Sequence, residues 1–173
     1  KRWRPLFATL VCDLVSGHDS DSKTPESLIY ALVPVVEFVH TASLIHDDLP
    51  CMDNDSMRRG KPSNHIVYGE APALLAGDGL LTYAFEVCSG NEKTDGTRNS
   101  KAVNVLSHLA GPCGMVGGQS LDLIGETRKL SLEELLEVDR LKTGALIVAS
   151  CVLGCIAAGK FDMTDTAKEY AKN

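Results

Sequence analysis

A chain of 173 residues that is 44% hydrophobic and 23% charged is long and apolar enough to bury one core, which excludes a disordered tail. A net charge of −6 and a pI near 5.3 exclude a protein whose bulk binds nucleic acid, since such domains carry a basic surplus, and any anion site must be local. No unbroken apolar run reaches the ~18 residues of a membrane span, so no transmembrane segment is expected.

Apolar residues recur at three- and four-residue spacings along nearly the whole chain without sustained alternation, so the predicted class is all-α. A basic knot, KRWRP (Lys1, Arg2, Arg4), opens it. The first long apolar-rich helix is predicted from Pro25 to Asp48, with Thr24, Pro25 and Glu26 as cap and first turn. A second covers 71–89, and the polar stretch 89–100 reads as a surface loop. A third spans 100–125, interrupted by glycines and Pro112. The fourth, 131–159, begins with a Ser131 cap and Glu134 at the third helical position, a capping box, and ends at glycine. Residues 164–173 read as the opening of a fifth helix. Segments 28–46 and 132–158 are apolar on most faces and need partners all round, which predicts a helix bundle or helical dimer with a single domain over 1–173.

Six cysteines (Cys12, Cys51, Cys88, Cys113, Cys151, Cys155) lack C-x-x-C or His-pair spacing. They are expected to be reduced thiols, mostly in the core, in a cytosolic-type compartment. Cys151 and Cys155 lie one helical turn apart, where ordinary packing is expected and a helix–helix contact is the alternative.

The stretch HDDLPCMDND, His46 to Asp55, holds four carboxylates and a proline directly after the first apolar helix. Asp47 and Asp53 are six residues apart and would lie well round a regular helix from each other. Pro50 cannot donate a backbone hydrogen bond and disfavours helical geometry at Leu49, so a bulge is expected there that swings Asp53 back beside Asp47 and Asp48. Converging carboxylates repel, and a hard divalent cation with oxygen ligands relieves the repulsion. Magnesium shares its shell between one or two carboxylates and substrate phosphates, so the cluster reads as half of a metal–diphosphate site. The competing reading is a solvated acidic loop. Against it, acids at a helix carboxyl end oppose the macrodipole, while Arg58, Arg59 and Lys61 follow within a few residues to meet remaining phosphate oxygens.

In order, the chain carries K-x-x-R-P (Lys1, Arg4, Pro5), H-T-A-S-L-I-H-D-D-L-P-C-M-D-N-D (His40 to Asp55), R-R-G-K-P (Arg58 to Pro62), L-A-G-D (Leu75 to Asp78), G-G-Q-x-x-D-L (Gly117 to Leu123) and L-K-T-G (Leu141 to Gly144). This set resembles the trans-isoprenyl diphosphate synthases, the polyprenyl synthetase family, and in particular geranylgeranyl and farnesyl diphosphate synthases with a D-D-x-x-x-x-D first motif. The resemblance implies an isoprenoid synthase helical bundle, a homodimer in the cytoplasm or a plastid, and condensation of isopentenyl diphosphate with an allylic prenyl diphosphate. It implies that Asp47, Asp48 and Asp53 hold Mg2+ on the allylic diphosphate, that Arg58 contacts that diphosphate, and that Lys142 and Thr143 approach its leaving group. Lys1, Arg4, His40 and Arg59 would bind isopentenyl diphosphate, with Gln119 and Asp122 lining the site near the metals. In the family pattern an aromatic residue one turn before the aspartates floors the product cavity, and here Ala42 and Ser43 are both small, which favours a C20 product over C15. The family's second aspartate-rich motif is missing, so the sequence is expected to be part of a longer chain, without its first helices and its C-terminal part. Two other readings compete: a non-catalytic partner subunit, on the likeness of the Cys151/Cys155 pair to that of plant subunits, and a terpene cyclase, which needs no isopentenyl diphosphate site.

Overall fold

The computed structural model describes residues 2–17, 26–90 and 95–172, with 26–31 as backbone only. Lys1 and the Thr24–Pro25 cap therefore lie outside the described residues. Helix α1 (Trp3–Ser16) leads to α2 (Glu26–Asp47), a two-residue hairpin β1 (Met57–Arg58) and β2 (Lys61–Pro62), α3 (Asn64–Tyr68) and α4 (Glu70–Ser89). Then come α5 (Gly96–Ala110), α6 (Met115–Thr127), α7 (Leu132–Val138), a π-helical segment (Asp139–Gly144), α8 (Ala145–Ala158), a 3-10 turn (Phe161–Met163) and α9 (Thr164–Lys172).

The architecture is the predicted all-α bundle. Its centre is α8, where Ala145, Leu146 and the whole run from Ala149 to Ala157 are buried, packed against α1, α2, α5 and α9. By length and composition alone, 132–158 is apolar enough to cross a membrane, but 72% of that apolar window is buried inside the fold. Its α8 part is the core helix, apolar on most faces because most faces are enclosed, whereas Leu132, Leu135 and Leu136 of α7 are exposed, contrary to the expectation of partners all round 132–158. Leu153 and Ile156 from α8 meet Val35, Val36 and Val39 from α2 and Leu106 from α5 in one apolar cluster.

The predicted capping box is present: the Ser131 hydroxyl accepts from the Glu134 N–H, and the Glu134 carboxylate accepts from the Ser131 N–H. Two expectations change. The single helix over 100–125 is two helices, because the Gly111–Gly114 turn around Pro112 ends α5 and restarts the chain at a new angle as α6. The loop assigned to 89–100 is shorter, since Asp95 caps α5 by accepting from the Arg98 N–H and the helix already runs from Gly96.

All six cysteines are free thiols. Four are core groups as expected, and burial pushes Cys12 up to about 11 and Cys88 up to about 12. Cys51 and Cys113 are exposed. Cys151 and Cys155 pack inward against Val11 and Ala167, the ordinary internal packing expected of them.

Candidate active site

The break predicted at Pro50 occurs as the end of α2 at Asp47 and not as a bulge within a continuing helix. The chain turns through 48–53, with the Met52 and Asn54 N–H groups both donating to the Leu49 carbonyl. The Asp53 N–H donates to the Asp47 carbonyl at 2.9 Å, so the backbone returns to the end of α2, but the Asp53 side chain is exposed while that of Asp48 is buried. Asn54 adopts φ 54, which lets the chain reverse.

The hairpin that follows delivers the cations. Its two-residue turn is Arg59–Gly60, both at positive φ (53 and 78), the geometry that closes a tight hairpin. On β1, Arg58 donates from Nε to both oxygens of Asp48 at 2.7 and 2.8 Å, and its Nη2 lies 2.6 Å from Asp48 Oδ1 and 3.8 Å from Asp47 Oδ2. Asp48 is 2% exposed, and a carboxylate that deep needs a counter-charge, which Arg58 supplies.

Lys142 comes from the opposite side. It donates to Asp122 Oδ2 at 2.6 Å and lies 3.7 Å from Asp47 Oδ1. The π-helical segment that carries it is wider than an α-helix and sits directly on α6, at Gly118. A Cβ at Gly118 would fall 2.2 Å from the Lys142 backbone nitrogen, so only glycine allows the two backbones to approach. Four residues further along the same face of α6, Asp122 takes the ammonium.

Charges inside the cluster oppose one another. Burial pushes the Asp47 carboxyl above its ordinary value; Lys142 and Arg58 pull it back, while Asp53 and Asp48 push it further. Burial works to lower Lys142, but the Asp122 hydrogen bond and the charges of Asp47 and Asp53 outweigh it and hold the ammonium charged.

Beside these groups lies a cavity of about 220 Å3 lined by Arg4, His40, Ser43, Asp47, Gln119 and Lys142, with Thr143 and His46 also at its wall. Ser43 faces this cavity and donates its hydroxyl to the His40 carbonyl, whereas Ala42 is buried and is not among the lining residues. Arg4 Nε and Gln119 Nε2 are buried without a hydrogen-bond partner. Such atoms are costly unless a ligand meets them. The Arg59 side chain is exposed, and its charge acts on both Arg4 and His40. Lys1 lies outside the described residues. His46 was given no role from the sequence, although its place directly before the aspartate pair marked it.

Among the described residues no three His, Cys, Asp or Glu groups are gathered into a preformed metal cage. The donor set still fits magnesium: Asp47, Asp48 and Asp53 offer only oxygens, and that ion takes one or two carboxylates and completes its shell from water and phosphate.

The polyprenyl synthetase family model matches residues 1–173. The chain is 43% identical over 163 residues to the farnesyl diphosphate synthase of Bacillus subtilis (strain 168), covering 91% of this chain and 52% of that one. It is 48% identical over 180 residues to the chloroplastic geranylgeranyl pyrophosphate synthase 3 of Arabidopsis thaliana, covering 99% and 48%. The crystal structure of the Helicobacter pylori geranyltransferase complexed with magnesium and isoprenyl diphosphate superposes with a TM-score of 0.89 at 35% identity, over 99% of this chain and 57% of that one. The chain thus spans about half the length of the curated relatives it matches.

His40 yields a pH prediction. Burial first, then the charges of Arg4, Arg59 and Arg58, push it down to about 4 from 6.5. Between those values the unfolded chain binds the proton and the folded chain does not, so stability falls as pH drops through 6.5 and levels out below about 4. Allowing for solvent screening of a half-buried ring, the loss is on the order of 1–2 kcal/mol. His40→Gln removes it: urea unfolding of the variant should depend less on pH across this window than that of the parent protein. Equal dependence would mean that the folded ring takes up its proton at an ordinary pH.

Proposed function

The chain belongs to the polyprenyl synthetase family, and on that premise we propose that it is the substrate-binding part of a magnesium-dependent trans-prenyltransferase that condenses isopentenyl diphosphate with an allylic diphosphate. The observation that carries this reading is that Arg58 and Lys142 are ion-paired to the aspartate cluster at the edge of a cavity whose wall also holds Arg4, with its unpartnered Nε, and His40.

In this reading Asp47, Asp48 and Asp53 hold the metal, which when bound neutralises the allylic diphosphate and makes it a better leaving group. Arg58 and Lys142 pass from the carboxylates to diphosphate oxygens. Asp122 keeps the Lys142 ammonium in place while this exchange occurs. Thr143 and Gln119 stand at the same wall, the Gln119 amide offering its unpaired N–H. Arg4, His40 and Arg59, with Lys1, bind the diphosphate of isopentenyl diphosphate, His40 as a neutral donor and the others as cations. The allylic C–O bond ionises as its electron pair leaves with the diphosphate, and the isopentenyl double bond attacks the cation. Loss of a proton to the released diphosphate then gives a product one C5 unit longer. Preorganised cations facing the departing charge supply the rate enhancement.

For product length the reading is C20, since Ser43 is a small wall residue and Ala42 beside it is small too. The named relatives include both farnesyl and geranylgeranyl synthases. Their sources, a bacterium and a chloroplast, make the cytoplasm or a plastid the proposed compartment. The intact arginine, lysine and aspartate set favours a catalytic chain over a silent partner subunit, and the Arg4–His40–Arg59 group favours it over a terpene cyclase. We also propose a homodimer. Ile66, Val67 and Tyr68 of α3, with Leu74, Leu75 and Tyr83 of α4, leave an exposed apolar face suited to a second copy.

The test is elongation by the full-length protein carrying this sequence, given magnesium, isopentenyl diphosphate and C5, C10 or C15 allylic primers. Accumulation of C20 is expected, and no elongation from any primer would overturn the proposal. Lys142→Ala should lower kcat about 100-fold with the helical circular-dichroism signal retained. Ser43→Tyr should shorten the product; unchanged length would put the cavity floor on another helix. Leu75→Glu should shift the protein from dimer to monomer in sedimentation velocity, and a dimer that persists would move the interface elsewhere.

A further inference from the structure

The L-A-G-D stretch, Leu75 to Asp78, has no part in the chemistry above, yet it lies in α4 against the end of α2. Gly77 forms a socket there. A Cβ at this position would fall 2.1, 2.3 and 2.8 Å from Nε2, Cδ2 and Cε1 of His46, so the imidazole fills the space that any side chain at 77 would need. His46 Nε2 lies 3.0 Å from the Leu74 carbonyl oxygen and 3.6 Å from Asp78 Oδ1. A carbonyl oxygen only accepts, so Nε2 carries a proton and donates it, with the Asp78 carboxylate beside the same N–H.

His46 is in the last turn of α2, directly before Asp47 and Asp48. The last carbonyls of this turn take their donors from the chain beyond the helix, Leu44 from the Asp48 N–H, His46 from the Leu49 N–H and Asp47 from the Asp53 N–H, while the carboxylates of Asp47 and Asp48 oppose the macrodipole. Seating the ring in α4 fixes the turn from outside at one point adjacent to both carboxylates. We propose that His46, seated on Gly77 and held by Leu74 and Asp78, is a positioning residue that sets Asp47 and Asp48 for a divalent cation. This rests on the reading of those aspartates as the metal site. It explains why position 77 is glycine, and it assigns Gly77 and Asp78 of that motif to the orientation of the ligand pair.

The test is Mn2+ binding to the full-length protein, followed by the electron paramagnetic resonance signal of the free ion, alongside elongation and thermal unfolding. His46→Ala should weaken Mn2+ binding about tenfold, the range found when groups that orient metal ligands are removed. His46→Gln, which keeps an N–H at similar reach, should restore most of it. Gly77→Ala evicts the ring and should match His46→Ala, and the double variant should be no weaker than either single one, as expected of residues acting through one contact. If Gly77→Ala does not fold, the double variant decides: without the ring it should fold and bind as His46→Ala does. Unchanged Mn2+ affinity in His46→Ala, or losses that add in the double variant, would overturn the proposal while leaving the enzymatic reading intact. A parent protein that neither binds Mn2+ nor elongates any primer would overturn both.

Discussion

Two adjacent carboxylates, Asp47 and Asp48, stand at the negative pole of a helix with the charge of Asp53 acting on the first of them, and the arrangement of the surrounding elements answers that electrostatic conflict. Asp47 and Asp48 end α2, and the turn through Pro50 returns the Asp53 backbone to Asp47. Without counter-charge the group would repel itself and the helix end would fray. Arg58 from the hairpin and Lys142 from the π-helical segment supply the charge from two sides, and His46 anchors the turn from α4. In the function proposed above, a divalent cation and a diphosphate take over those ion pairs.

The backbone approaches serve the same end. Lys142 reaches Asp47 only because the π-helical turn sits on α6 at Gly118, and Asp122 on that same helix then holds its ammonium. His46 reaches α4 only because position 77 lacks a side chain. Both glycines are close-packing positions beside charged groups, where conformational freedom is irrelevant and the absence of a Cβ is what matters. The enclosed apolar helix α8 continues from the π-helical segment and gives Lys142 a rigid base in the core.

Much of this was legible in the chain. The capping box at Ser131 and Glu134 marked a helix start, since its two hydrogen bonds need only local geometry. Pro50 marked the end of α2, because its missing N–H acts within its own turn. The return of the Asp53 backbone to Asp47 followed from that break, though as a helix end rather than a bulge. The separation of α5 from α6 was signalled by Gly111, Pro112 and Gly114 but read as an interruption, because how far the chain changes direction at such a turn depends on what each helix packs against. The hairpin was not read at all: with two residues in each strand it carries no periodicity to detect.

By itself, the sequence determined the helical class, the apolar faces that make α8 a core helix, the position of the aspartate cluster and the ordered motifs that mark the family. These are properties of spacing and residue type, and they act over one or two helical turns. Only the tertiary structure decided which cation answers which carboxylate, that Ser43 faces the cavity while Ala42 is buried away from its wall, and that His46 sits in a socket on α4. Those facts depend on distances between helices far apart in the chain. Such distances are set by close packing across Gly77 and Gly118, where the decisive feature is an absent atom that no hydrophobic pattern records.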